Sequence, residues 1–145
     1  MKRTKLWGIL LTMMFLAAVA TPIGFAQRGM GQRTRVPKYN SSTEVTVKGT
    51  VGEVKEVTGP MGWAGTHLML KTQNETQDVH LGPASFLAEK KFKFTKGDQI
   101  EVTGSKIKYE GADALLAREV KKGDETLTLR NAQGIPQWSR SRRRY

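Results

Sequence analysis

"TEVTVKGTVGEVKEV", residues 43–57, sets valines at 45, 47 and 51 against polar neighbours, then changes phase to Val54 and Val57. Alternation with a period of two is the mark of a half-buried strand. The phase changes at Gly52, and a glycine phase change inside a long strand predicts a bulge that bends the chain. "KGDQIEVTGSKIKYEG" (96–111) repeats the device, with Ile100 and Val102 in one phase, Ile107 and Tyr109 in the other, and Gly104 at the switch. Two long bent strands can each serve two neighbours, which is how a small sheet closes on itself and hides its edges.

The segments around them complete a strand order. "THLMLKT" (66–72) and "ETQDVHL" (75–81) read as two short strands about a turn at Gln73 and Asn74. "GPASFLAEKKFKF" (82–94) is the one helical candidate, with Pro83 suited to a first helical position and Phe86, Leu87 and Lys90 along one side. "ADALLAREV" (112–120) and "ETLTLR" (125–130) flank a "KKGD" hairpin turn, and "NAQGIPQW" (131–138) is a turn with an apolar end. The expected fold is mainly β: a small OB-fold-like, five- or six-stranded Greek-key barrel with one short helix between strands three and four. An immunoglobulin-like sandwich is the alternative, and both the low strand count and the helix position weigh against it.

Outside this body the chain changes character. Lys2, Arg3 and Lys5 precede an apolar run, Leu6–Ala20, and Gly24 and Ala26 supply small residues before Gln27. This is the pattern of a secretory signal peptide over 1–26, and the run is shorter than the ~20 residues of a spanning helix. The expected protein is exported, periplasmic in a bacterium, and soluble after cleavage. Residues 27–42 read as a basic flexible segment, 43–138 as the folded domain and 139–145 as an Arg-rich tail. Cysteine is absent, which excludes disulfides, thiolate metal sites and a cysteine nucleophile.

The formal charge of +11 is unevenly spread. Tyr39–Ser139 holds 13 Lys and Arg against all 13 Asp and Glu, so the body is neutral and the excess sits at the two ends. A nucleic-acid-binding body would carry a basic face of its own, with stacking aromatics among its cations. "EKKFKF" (89–94) is the one such run, and it fits a helix end with snorkelling lysines. Nucleic-acid or polyanion binding through the basic ends therefore stands as the alternative to a protein or cell-envelope partner.

The body resembles a known family. "VTVKGTVGEVKEV", "GWAGTHLMLKT", "DVHLGPASFL", "KGDQIEVTGSKIKY", "ALLAREVKKGDETLTLR" and "GIPQW" are together similar to the exported OB-like domain shared by the magnetosome-associated MamS and MamX proteins, over roughly residues 43–138. The resemblance implies a periplasmic binding or accessory domain near redox or metal-handling machinery. Some members carry C-x-x-C-H haem-attachment motifs. This chain lacks cysteine, so covalent haem does not carry over.

The functional question concentrates on "THLMLKTQNETQDVHL" (66–81), which contains both histidines. Leu68 and Leu70, like Val79 and Leu81, belong in the core. A two-residue turn at Gln73–Asn74 then pairs His67 with His80 and Met69 with Asp78. Opposed Cβ atoms stand roughly 4.5–5.5 Å apart, within reach of one metal ion. His67, Met69, Asp78 and His80 are thus expected on one outer face, as a Cu or Zn site or as ordinary cross-strand neighbours. Met61 and Trp63, in the Gly-rich loop "TGPMGWAG" (58–65), are candidates for a ligand or partner loop, with Met61 as a further soft donor; the other reading has Trp63 folded back as a cap. No Gly-x-Ser-x-Gly, His-Glu-x-x-His or P-loop occurs, and a non-catalytic role is expected.

Overall fold

The computed structural model describes residues 37–59 and 62–139. The expected signal peptide, most of the basic segment, Met61 and all of the Arg-rich tail but Ser139 lie outside the described residues. Among the described residues, no helix is long and apolar enough to cross a membrane.

Six strands and one short helix follow in order: β1 (Glu44–Thr58), β2 (Ala64–Lys71), β3 (Thr76–Pro83), α1 (Ala84–Glu89), β4 (Gln99–Tyr109), β5 (Ala112–Lys122) and β6 (Glu125–Thr128). The helix falls between the third and fourth strands, as expected. The sheet runs β3-β2-β1-β4-β5-β6 with antiparallel neighbours, and β3 also pairs in parallel with β5. That second pairing closes five strands into a ring and leaves β6 outside it.

The two glycine-marked strands behave as their phase changes predict. β1 gives its first half to β4 (Glu44–Thr50) and its second half to β2 (Thr50–Thr58), with the register shift at Gly52, between Val51 and Glu53. β4 shifts against β5 between Thr103 and Gly104. A Cβ at Gly104 would run into the Leu116 carbonyl, so this crossing of backbones requires glycine. One face of the ring is the core, with Leu68, Leu70, Val79, Leu81, Val102 and Leu115 fully buried. Burying side chains of this size is worth about 1.5–3 kcal/mol each.

The helix is shorter than its sequence pattern. Pro83 is its N-cap, Phe86 and Leu87 are its buried residues, and Lys90 is its C-cap, with Nζ lying 5.4 Å from the Phe86 ring centre on the side it was expected to share. Lys91 then takes a left-handed φ of 56°, which ends the helix and frees Phe94 to enter the core. β6 likewise stops at Thr128, and the chain turns so that Arg130 bridges Pro136.

The fold is also tied at its start. The Glu44 carboxylate takes two hydrogen bonds from Arg118, Nε at 2.8 Å and Nη2 at 3.0 Å, and a third from the Tyr39 hydroxyl. Asn40 N–H donates to Ser105 Oγ at 3.0 Å. Tyr39 and Asn40, read from sequence as the end of a flexible segment, therefore have fixed partners in β1, β4 and β5.

Candidate metal centre and its cleft

The β2–β3 hairpin has the register set by its leucines. Leu68 pairs with Val79, Met69 with Asp78 and His67 with His80, and Thr72 N–H closes the turn on the Glu75 carbonyl at 2.8 Å. Cross-strand opposition makes the two imidazoles stack, with centroids 3.7 Å apart and planes 29° from parallel. Asp78 precedes His80 by two residues, so strand parity puts its carboxylate on the same face. Its Oδ2 lies 3.3 Å from His80 Nε2 and its Oδ1 lies 3.5 Å from His67 Nδ1.

One donor atom from each of His67, Asp78 and His80 falls within 4.8 Å of the others. The Asp78 Oδ1 atom is buried and has no full hydrogen bond. Burial would raise the Asp78 carboxyl, but the two imidazoles outweigh it and hold the group well below the usual carboxylate range. The site thus presents an ionised carboxylate with an unsatisfied oxygen beside two imidazole nitrogens.

The face is less open than the sequence suggested. His80 is only 6% exposed, and the His67 side chain is 14% exposed. The cover is Tyr109, whose ring meets both imidazoles edge-on, 4.5 Å from His80 and 5.9 Å from His67. The expected outer face is therefore a lined wall, because the parallel β3–β5 pairing brings the end of β4 across it. Met69, paired with Asp78 and half-buried, shares this face by parity.

The histidines open into a cleft of about 910 Å³. Trp63 lines it from the β1–β2 loop, seated over Gly59 and Gly65 and 42% exposed, so it forms a rim rather than a buried cap. Trp138 lines it as well, packed on Phe86 at 5.3 Å, and a Cβ at Gly82 would collide with its ring. Arg130 lies against Trp138, its guanidinium carbon 4.9 Å from the ring centre. Sequence reading missed Tyr109 and Arg130 as site residues. A lone arginine closing the apolar-alternating "LTLR" was the one available signal for Arg130.

The model of the MamS/MamX magnetosome protein family matches residues 43–127. The chain belongs to this family. No curated protein matches it. The match agrees with the resemblance read from the sequence. In this MamS/MamX-family chain the matched region includes His67, Asp78, His80 and Tyr109, whereas Arg130 and Trp138 lie beyond it.

Proposed function

We propose that this MamS/MamX-family chain is a non-catalytic accessory domain of the cell envelope that holds a divalent transition-metal ion through His67, Asp78 and His80. The observation that carries the reading is Asp78: a partly exposed, ionised carboxylate with one buried, unsatisfied oxygen, set against two stacked imidazoles. A cation at that point would satisfy the oxygen and take a nitrogen from each ring. Two nitrogens and one carboxylate oxygen suit Zn(II) or Cu(II), with Met69 as a soft fourth donor for copper. The strand ring with a helix between β3 and β4 supports the OB-fold reading of this scaffold. The basic leader pattern supports export, and family membership supports an accessory role beside magnetosome-associated proteins.

The test is calorimetric titration of the purified protein with Zn(II) and with Cu(II), beside the His67→Ala/His80→Ala variant. Saturable one-site binding in the parent and its loss in the variant are expected. Absence of heat with both ions, or unchanged binding in the variant, would overturn the proposal.

A further inference from the structure

We propose that the wall of the cleft built by Arg130 and Trp138 receives the carboxylate of a small organic anion. The inference rests on two arginines treated differently by the fold. Arg118, with a side chain 23% exposed, has a bidentate carboxylate partner in Glu44. Arg130 is only 6% exposed, yet no carboxylate pairs with it among the described residues. A buried cation normally has an anion beside it, because neutral dipoles replace water incompletely.

The partners Arg130 does have occupy one nitrogen. Nη1 donates to the Leu81 carbonyl at 3.0 Å and to the Ala117 carbonyl, which anchors the guanidinium to β3 and β5. Among the described residues, nothing accepts from Nε or Nη2. Those two nitrogens form the edge of the guanidinium that matches a carboxylate with two parallel hydrogen bonds. Burial lowers the Arg130 pKa to about 10, so the group is still charged at neutral pH.

The surroundings indicate what kind of anion fits. Arg130 lines the cleft, and Trp138, Tyr39 and Trp63 line it with rings. A single buried cation balances a single carboxylate, and the ring walls accept an apolar or flat body better than a hydrated phosphate. Arg130 lies outside the His67–Asp78–His80 group, so this inference stands whether or not a metal binds there.

The bland alternative is that Arg130 only clamps the end of the chain to the ring. NMR on the purified, EDTA-treated, ¹⁵N-labelled protein separates the two. Benzoate, indole-3-acetate and hexanoate are each titrated beside the neutral amide of the same acid, following Arg130 Nε–H and Trp138 Nε1–H. At least one acid is expected to move both signals saturably while its amide does not. The Arg130→Lys variant keeps the charge and loses the fork, and should bind that acid about tenfold more weakly at least. If no acid moves Arg130 Nε–H, if acids and amides act alike, or if a folded Arg130→Lys protein binds as the parent does, the proposal fails. Should that variant not fold, the acid–amide comparison in the parent protein decides alone.

Discussion

Asp78 Oδ1 and His67 Nδ1 stand 3.5 Å apart, close enough to attract and too far for a full-strength hydrogen bond. The hairpin thus holds a buried carboxylate oxygen in a half-satisfied state, which is unfavourable without a further partner. Zinc at about one hundred times its dissociation constant should stabilise the protein by about 2.7 kcal/mol through mass action alone. Thermal melting with and without zinc measures this. The rise should vanish in Asp78→Asn, which keeps the shape and removes the charge; an equal rise in that variant would place the ion elsewhere.

Acid should unfold the protein partly through Glu44. Hydrogen bonds from Arg118, then Tyr39, lower its pKa below the ordinary glutamate value. A carboxyl depressed in the folded state contributes stability above its unfolded pKa and loses it as pH falls through the folded one. Denaturant midpoints taken from neutral pH down to about pH 2 should fall steeply below about pH 4. Glu44→Gln should flatten that fall while lowering stability at neutral pH. An unchanged acid slope would show that Arg118 and Tyr39 do not act through this carboxylate.

Leu68 is fully buried at the centre of the ring. Leu68→Ala should cost about 2–5 kcal/mol in urea unfolding, the sum of lost transfer energy and the cavity left behind. Val54, 39% exposed on the bent half of β1, is the control. Val54→Ala should stay within about 0.5 kcal/mol of the parent.

Gly82 gives Trp138 its seat, because any Cβ there would occupy the space of the indole. Gly82→Ala should displace the ring, weaken the near-UV circular dichroism of Trp138 and destabilise by about 1–3 kcal/mol. An unaltered near-UV spectrum would mean that the indole has another resting place of equal quality.

What could be read from the residues was what is local. The leucines of β2 and β3 fix the hairpin register, so the meeting of His67 and His80 follows from strand parity alone. Gly52 and Gly104 mark their bulges for the same reason: a phase change is visible in a single segment. Tyr109 was invisible as a cover for the histidines, since it reaches them only through the pairing of β5 with β3, between segments far apart in sequence. The helix was overestimated because its apolar pattern continues through Phe92 and Phe94. Tertiary packing claims Phe94 after the chain has turned at Lys91. Arg130 carried no carboxylate partner nearby in sequence, and its two carbonyl acceptors come from β3 and β5.

The parallel seam of β3 with β5 also sets an order of assembly. Residues 78–80 and 114–116 must find each other across the helix and the whole of β4, whereas the β2–β3, β4–β5 and β5–β6 pairs each close over a short turn. Loop-closure entropy makes this seam, like the still longer-range pairing of β1 with β4, a slow event, whereas hairpins form in microseconds. The stacked histidines should therefore exist in the nascent hairpin before Tyr109 arrives to shelter them. Stopped-flow refolding with and without zinc reads this directly: an early hairpin site predicts faster folding in the presence of the ion, and a site completed only by ring closure predicts slower unfolding alone.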